Sequence, residues 1–160
     1  MKNTRLFLAV FLGFGLLLVA GCSKPKEEEV IPAASASVLA GNWLLIEPAS
    51  AYTVTLEITD IKSVFNENYG VRLSGQSSVN QYSGTGSFSQ RPSIESGPTG
   101  TGSVGVLAST KIGGPPAAMQ FEDTYFARLR AVNFAGLVGT NRLHLRYGGT
   151  SPGVLVYKRQ

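Results

Sequence analysis

The chain has very few of the residues from which catalytic and metal sites are most often built. It contains one cysteine, Cys22, and one histidine, His144. A single cysteine can form no disulfide within the chain, and one histidine with scattered carboxylates offers no metal-ligand spacing. We therefore expect no metal site and no cofactor, and a fold whose stability comes from packing alone.

The scarcity of histidine also limits acid–base chemistry. His144 is the one residue that could serve as the base of a serine–histidine–acid triad. It alternates with Leu143 and Leu145, a pattern that places it on the polar or lumen face of a strand. The sequence therefore predicts no catalytic residues, and we expect that the protein is not an enzyme.

Two short motifs match functional signatures in spacing alone. The segment 100–105 fits G-x-G-x-x-G, but no strong strand precedes it and β-like sequence follows. The segment 78–80 fits the S-x-N element of penicillin-recognising enzymes, but the Lys-Thr-Gly strand of those enzymes is absent. Neither motif supports a ligand, and the glycine-rich one is interpreted as a turn.

The first residues have the features of a secretion signal. Lys2 and Arg5 carry positive charge, and the run from Leu6 to Ala20 has no charged side chain. This run contains two glycines and is shorter than the roughly 20 apolar residues that span a bilayer. We therefore predict a signal peptide over residues 1–21.

The cleavage site indicates a lipoprotein. Val19-Ala20-Gly21-Cys22 resembles the lipobox, where small residues admit the signal peptidase and the cysteine thiol receives a diacylglyceryl group. We predict that Cys22 is lipidated and that its acyl chains hold the protein in a membrane. Ser23 follows, and a residue other than aspartate there resembles the enterobacterial signal for the outer membrane. The expected location is the cell envelope, facing the periplasm from the outer membrane in a Gram-negative cell.

Cleavage lowers the positive charge of the chain. Without Lys2 and Arg5, 12 basic residues face 10 acidic ones, so the mature protein carries about +2 rather than the formal +4. No run of lysine or arginine interleaved with aromatic residues occurs, and secretion argues against DNA or RNA as a partner. We expect no nucleic-acid binding.

The mature chain divides into a tether and one domain. Residues 22–37 combine three glutamates, two prolines and Ala/Ser repeats, which cannot bury enough apolar surface to fold. Residues 38–160 have the size of one domain. Alternation over Tyr52–Thr59 predicts a half-buried strand. Further strand-like segments are 43–46, 71–73, 104–107, 143–147 and 154–157.

Loops and one helix are predicted between the strands of the domain. Clusters of Gly, Ser, Asn and Pro separate the strands, as in antiparallel β proteins, and residues 87–103 are interpreted as a long exposed loop. Pro115 and Pro116 can begin a helix, and the residues up to Arg130 tolerate one. We predict a helix near residues 116–130, packed on the sheet through an apolar face. That face consists of Met119, Tyr125, Phe126 and Leu129.

Taken in order, these segments resemble the META domain family, to which HslJ-like heat-shock proteins belong. Leu39-Ala40-Gly41-Asn42-Trp43 is similar to the family's opening strand, and Asn80-Gln81-Tyr82-Ser83-Gly84 is similar to its Asn-x-Tyr-x-Gly element. A helix with Met119 and Glu122 continues the likeness. The resemblance implies a mainly β fold, a small antiparallel β-barrel of lipocalin-like architecture with one packed helix. It also implies no established catalytic site and a link to envelope stress and drug tolerance.

The chain departs from the family pattern at two positions. Many members have one cysteine just before the Asn of Asn-x-Tyr and another in the proline-flanked turn before the helix, where this chain has Val79 and Gly114. Joint loss is expected if the two cysteines normally pair, because one alone would be an exposed thiol. Packing and prolines then have to hold this turn.

Three functional hypotheses follow. The first is non-catalytic binding of an envelope protein or component, with Asn80 and Tyr82 as candidate partner-binding residues, although both could instead stabilise a turn. The second is a carrier or chaperone for a small apolar ligand inside the barrel. The third and least favoured is a serine hydrolase that uses His144. An interior filled by aromatic side chains would argue against the carrier; the relevant residues are Trp43, Phe65, Phe88 and Phe134.

Four arginines offer one further possibility. They would form a site for an anionic ligand if the helix and a late strand are neighbours, although a solvated surface is the more common arrangement. These residues are Arg128, Arg130, Arg142 and Arg146.

Overall fold

The computed structural model describes residues 31–32, 39–65, 68–89 and 102–160. The predicted signal peptide, Cys22 and most of the predicted tether lie outside these residues, as does the segment 90–101 of the predicted loop. In the described part of the chain, no helix is long and apolar enough to cross a membrane.

The described residues form nine strands and one long helix. In chain order these are β1 (Ile31–Pro32), β2 (Gly41–Glu47), β3 (Thr55–Phe65), β4 (Asn68–Gln76), β5 (Gln81–Ser89), β6 (Gly102–Ser109), α1 (Pro116–Arg130), β7 (Val132–Val138), β8 (Arg142–Tyr147) and β9 (Gly153–Arg159). The strands pair antiparallel in the order β1-β7-β8-β9-β2-β3-β4-β5-β6. The predicted mainly β fold with one helix near residues 116–130 is confirmed.

The eight longer strands form a nearly closed barrel. β6 and β7 are not hydrogen-bonded to each other, yet they approach one another across the remaining gap. β6 ends opposite Tyr82 and β7 begins opposite Tyr147, at the end of the barrel that also holds the β4–β5 turn. The helix α1 joins these two strands and therefore lies across that end. The predicted small antiparallel barrel is confirmed.

The barrel interior is filled with side chains. Val54, Leu56 and Ile58 are buried on one face, as their alternation predicts. The largest fully buried side chains are aromatic: Trp43 from β2, Tyr125 from α1 and Tyr157 from β9. Their burial inside a barrel of eight strands leaves the described interior packed rather than hollow.

Two of the eight longer strands, β5 and β7, are not predicted by sequence periodicity. β5 contains Gly84 and Gly86 at inward-facing positions, so it shows little hydrophobic alternation. A β-carbon built on Gly84 would lie 2.6 Å from Leu107 Cδ2 and 2.8 Å from the Val106 carbonyl oxygen, so glycine is what permits β6 to pair there. In β7 a register shift between Val132 and Phe134 breaks the alternation.

Some predicted boundaries differ from the structure. β3 begins at Thr55, after the predicted start at residue 52. Part of the predicted loop is strand, since Ser87 pairs with Ser103 and extends the β5–β6 ladder. Ile31 and Pro32, which lie within the predicted tether, pair with β7 opposite residues 137 and 136.

Candidate functional site

A buried carboxylate joins the β4–β5 turn to the helix. Glu122 is 3% exposed, and its Oε2 accepts a hydrogen bond from the Ser77 hydroxyl. The same oxygen accepts from the backbone N–H groups of Val79, at 3.4 Å, and Asn80, at 2.9 Å. Its Oε1 accepts a bond of 2.6 Å from the Asn80 side-chain amide. The helix thus supplies the acceptor for a turn whose donors are cut off from water.

The surroundings of Glu122 determine its ionisation. Burial by itself raises the pKa of this carboxyl, because the charged form loses hydration. Hydrogen bonds from Ser77, Asn80 and Val79 act in the opposite direction and together outweigh burial, so the pKa lies below its ordinary value. Glu122 is therefore ionised at neutral pH and stabilised by uncharged donors.

Asn80 connects this turn to the segment after β6. Its side chain, which is 1% exposed, also donates to the Ile112 carbonyl oxygen at 3.1 Å. Its Oδ1 accepts from the Ile112 N–H at 2.8 Å and from the Thr110 hydroxyl at 2.7 Å. Both amide protons and both lone pairs are thus used inside the protein. Asn80 holds the β6–α1 loop against the β4–β5 turn.

Three buried tyrosines form a chain of hydroxyl groups from the barrel interior to the edge of β3. The hydroxyl of Tyr82 donates to the Thr55 carbonyl oxygen at 2.8 Å. It also lies 2.8 Å from the Tyr125 hydroxyl, which lies 3.1 Å from that of Tyr157. Because each hydroxyl has one proton, Tyr125 donates to Tyr82 and Tyr157 donates to Tyr125. Burial raises the pKa of all three phenols well above 10, so the chain stays protonated.

The β3–β4 ladder opens at Thr55, beside a cleft. The Gln76 N–H donates to the Thr55 hydroxyl at 3.1 Å instead of to a backbone carbonyl. A β-carbon on Gly75 would lie 2.1 Å from the Thr55 carbonyl oxygen, so a side chain there would displace the Tyr82 contact. A cleft of about 650 Å³, here called the larger cleft, opens at this point. Its polar lining includes Thr55, Glu57, Ser74, Gln76, Gln81 and Ser83.

A second depression of about 220 Å³, the smaller cleft, lies between the β6–α1 loop and the helix. Asn80 and Glu122 form part of its wall, and Phe126 provides an apolar surface. Its charged lining residues are Lys111, Asp123 and Arg130, together with Glu122. The buried Asn80–Glu122 pair therefore borders this cleft, while Tyr82 borders the larger one.

The two candidate partner-binding residues, Asn80 and Tyr82, are brought together in the same turn and strand, but both side chains are interior. Asn80 is 1% exposed and Tyr82 is 3% exposed. They position the backbone around the clefts rather than present themselves to solvent. Of the aromatic residues proposed to fill the interior, Trp43 and Phe88 lie in the core, Phe134 is buried on the outer side of β7 beside Arg146, and the side chain of Phe65 lies outside the described part.

His144 lies on the outer face of β8. Its neighbours Leu143 and Leu145 are buried in the core, and its own side chain is half-buried. Gly149–Gly153 has the G-x-S-x-G spacing of a nucleophile elbow, yet it forms the turn between antiparallel strands β8 and β9 rather than a strand-to-helix turn. Among the described residues, no group of three or more His, Cys, Asp or Glu could hold a metal ion.

The glycine motif at 100–105 lies partly within the described residues. Its residues from Gly102 onward belong to strand β6, so the helix that dinucleotide binding requires does not follow. The four arginines are divided between α1 and β8, which are neighbours, and the Arg128 guanidinium lies 5.7 Å from the Tyr147 ring.

Sequence reasoning overlooked the importance of Glu122, Ser77 and the tyrosine chain. One signal was available for Glu122: it lies within the apolar face of α1, three residues after Met119 and four before Phe126. A carboxylate at such a position has to find buried donors. The donors themselves, 42 to 45 residues away in sequence, had no local signal.

The family model of the META domain matches residues 36–160, which is most of the chain and all but one of the described strands. The chain belongs to the META domain family. This META domain is similar to the NMR structure of a protein from Burkholderia xenovorans, with 18% identity and a TM-score of 0.46 over 86% of this chain and 97% of that one. A comparison with curated proteins returned no match.

Proposed function

We propose that this META domain protein is anchored in the bacterial envelope through lipidated Cys22 and acts as a non-catalytic binding module, with its ligand in the larger cleft. The observation that carries the proposal is the lining of that cleft by small hydroxyl and amide side chains around a single carboxylate, Glu57. Such groups both donate and accept hydrogen bonds. An uncharged ligand rich in hydroxyl and amide groups, as envelope glycans are, matches this surface.

The rigidity of the surrounding structure supports binding. The larger cleft lies where Thr55 is held by Tyr82 and Gln76, and the nearby turn is held by Glu122. A preorganised site loses less conformational entropy when a ligand binds. The lining lacks a pair of groups suited to proton transfer, since the Glu57 carboxylate has the Ser74 hydroxyl, at 3.2 Å, as its partner. This favours recognition over catalysis.

The packed interior disfavours the carrier hypothesis. A small apolar ligand would have to displace Trp43, Tyr125 or Tyr157, each without solvent exposure or nearly so. Tyr125 and Tyr157 are also bound to each other through their hydroxyl groups. A ligand site on the outside of the barrel requires none of these side chains to move.

The binding site is tested by NMR titration with a probe glycan, the tetrasaccharide of N-acetylglucosamine. We expect amide shifts at Gln76, Ser83 and Thr110, and their loss in the variant Ser83→Trp, which fills the cleft. The matched control is Ser87→Trp, on the same exposed face of β5 but outside the cleft lining. Shifts that are absent at millimolar glycan, or that survive Ser83→Trp, would overturn the assignment.

Anchoring is tested separately by mass spectrometry of the N-terminal peptide from membranes. Diacylglyceryl and acyl groups on Cys22 are expected in the wild-type protein. The variant Cys22→Ser should remain unprocessed and unlipidated. A mature N-terminus other than Cys22 would contradict lipid anchoring without bearing on the cleft.

A further inference from the structure

The charges of this chain are divided sharply along the sequence. All ten acidic residues precede Thr124, whereas the last 37 residues contain six of the lysines and arginines and no carboxylate side chain. This C-terminal part forms the end of α1 and the strands β7, β8 and β9. One side of the barrel is therefore basic, although the protein as a whole is close to neutral.

The strand register places three of these cations, Arg142, Arg146 and Lys158, in rows on the outer surface. Arg142 pairs with Lys158, and the row continues to Val138 on one side and Leu44 on the other. A second row joins Phe134, Arg146 and Val154. Residues of the alternate positions, such as Leu143, Leu145 and Tyr157, point into the core. The outer face of β8 and β9 is here called the basic wall.

The basic wall alternates cations with apolar side chains. Arg142, Arg146 and Lys158 are exposed, Val154 is half-buried, and Phe134, Val138 and Val156 are buried beneath and between them. The guanidinium of Arg146 lies 4.9 Å from the centre of the Phe134 ring, so its long side chain covers apolar surface while its charge faces outward. At the margin of the wall, Glu47 of β2 pairs with Val156 of β9 and adds one acidic side chain.

The N-terminal strand connects this wall to the membrane anchor. β1 pairs with β7 through Ile31 and Pro32, and Ile31 lies opposite Leu137, near the β7–β8 turn. Eight residues separate Ile31 from Cys22. Fully extended they span about 28 Å at most, so an anchor at Cys22 keeps the side of the barrel that carries β7 close to the bilayer.

We infer that the basic wall rests on the headgroups of anionic phospholipids in the membrane that holds the anchor. The inference rests on the proposed lipidation of Cys22, which keeps the wall near the membrane, and on the positive charge of the wall, which attracts anionic headgroups. Attraction of basic residues to an anionic surface acts within a Debye length, about 8 Å at physiological salt, and the connection is short enough to keep the wall near the membrane and long enough to let it come within that range.

This orientation has a consequence for the larger cleft. The cleft is lined by residues of β3 to β6, and in the strand order β4 and β5 lie four strands around the barrel from β8 and β9. In a nearly closed barrel of eight strands these are opposite walls. Contact of the basic wall with lipid therefore leaves the cleft open to the aqueous compartment.

The test uses the full lipidated protein in vesicles, with one environment-sensitive fluorophore on an engineered cysteine. Since acylated Cys22 has no free thiol, the new cysteine is unique. The probe positions are Val154→Cys on the basic wall and Thr85→Cys, exposed on the opposite wall. In vesicles of phosphatidylcholine with 25–30% phosphatidylglycerol and nitroxide-labelled lipid, quenching at position 154 should exceed that at position 85 at least about twofold, as expected for contact within the headgroup layer.

The charge dependence distinguishes lipid contact from mere proximity. The difference in quenching between positions 154 and 85 should shrink in pure phosphatidylcholine, in 0.5 M NaCl and in the variant Arg146→Glu/Lys158→Glu. Arg72→Glu, an exposed cation on β4, is the matched control and should preserve it. Equal quenching at both positions, or quenching that ignores phosphatidylglycerol, would overturn the inference. Loss of the protein from vesicles during a salt wash would instead refute the anchor, which is a separate readout.

Discussion

Gly114 lies directly against Val79. A β-carbon built on Gly114 would be 2.7 Å from Val79 Cγ2 and 3.6 Å from Val79 Cβ. These are the two positions at which the family resemblance places a cysteine pair, and a Cβ–Cβ distance of about 3.5 to 4.5 Å is what a disulfide requires. The chain has no cysteine at either position, yet the geometry there suits a bridge, with the valine methyl groups in the space that it would occupy.

Val79→Cys/Gly114→Cys should therefore form a disulfide during export. Closing the loop between these positions stabilises the fold by about 3 to 4 kcal/mol in the chain-entropy account. The measurement is thermal unfolding with and without reductant, together with a thiol assay. Gly114→Ala alone should instead destabilise by about 1 to 3 kcal/mol through overpacking, and Val79→Ala should relieve that cost in the double variant. Free thiols in the oxidised double-cysteine variant would contradict the geometry.

Glu122→Gln should lower the free energy of unfolding by about 2 to 4 kcal/mol, because an amide NH₂ would replace an acceptor that faces several buried donors. Asp123→Asn is the matched control: the adjacent carboxylate on the same helix is exposed, and its loss should change stability by at most about 0.5 kcal/mol. Chemical denaturation of the wild type, Glu122→Gln and Asp123→Asn measures both changes in the free energy of unfolding. Equal effects of the two substitutions would show that the buried network contributes little.

Glu122 should also make the protein sensitive to acid. Its pKa is lowered in the folded state relative to its usual value of 4.5. The carboxylate therefore contributes stability that is fully present above about pH 4.5 and is lost as the pH falls through the folded-state pKa. Denaturant midpoints measured from pH 7 down to pH 3 should fall more steeply for wild type than for Glu122→Gln. Parallel curves would be inconsistent with this assignment.

The tyrosine chain predicts an order among three conservative substitutions. Tyr82→Phe removes the donor to the Thr55 carbonyl and the acceptor for Tyr125, and should cost about 2 to 3 kcal/mol. Tyr157→Phe removes the terminal hydroxyl and should cost about 1 kcal/mol. Tyr52→Phe, at a half-buried ring, is the control. Unfolding free energies that fail to rank in this order would argue against a directed chain.

The same phenols predict the response to alkali. Burial holds the pKa values of Tyr82, Tyr125 and Tyr157 above their ordinary value of 10. Their contribution to stability is therefore complete below pH 10 and is lost as the pH rises further toward the folded-state values. Tyrosinate absorbance should then increase over the same pH range as unfolding, which is measured by circular dichroism. Titration of all six tyrosines in a folded protein would contradict their burial.

Trp43 provides a reporter for the opposite end of the barrel. It is the one tryptophan in the chain, is fully buried, and donates from Nε1 to the Leu39 carbonyl oxygen at 2.9 Å. The Arg159 guanidinium lies 4.3 Å from the ring centre and donates to the carbonyl oxygens of Ala40 and Thr140. Arg159→Ala should shift emission to longer wavelength and cost about 1 to 3 kcal/mol. The stability and emission wavelength of Arg159→Lys should lie between those of the wild type and Arg159→Ala, because lysine keeps the charge but not the planar guanidinium group.

How far the sequence predicts this fold depends on how local each signal is. The helix follows from Pro115, Pro116 and the apolar spacing up to Arg130, and its bounds agree with the structure. The strand with Val54, Leu56 and Ile58 follows from strict alternation. β5 escapes prediction because its inward positions include glycines that matter through close approach to β6 rather than through hydrophobicity.

The candidate site was predictable only in part. Asn80 and Tyr82 can be found from the glycine-bounded motif that contains them, but their burial cannot, because a polar residue beside glycines is equally suited to a surface turn. The side chain of Asn80 bonds to Thr110, Ile112 and Glu122, all at least 30 residues away. A contact of that kind exists only after the helix has folded across the barrel end.

By itself the sequence determined the membership of a β-rich family and the single helix, and it predicts a secretion signal, since these rest on composition and on periodicities within about ten residues. Only the tertiary structure decided which polar side chains are interior, where the strands open to form the larger cleft, and that Arg142, Arg146 and Lys158 share one wall. The physical reason is that strand register aligns residues far apart in the chain, and no local pattern encodes that alignment.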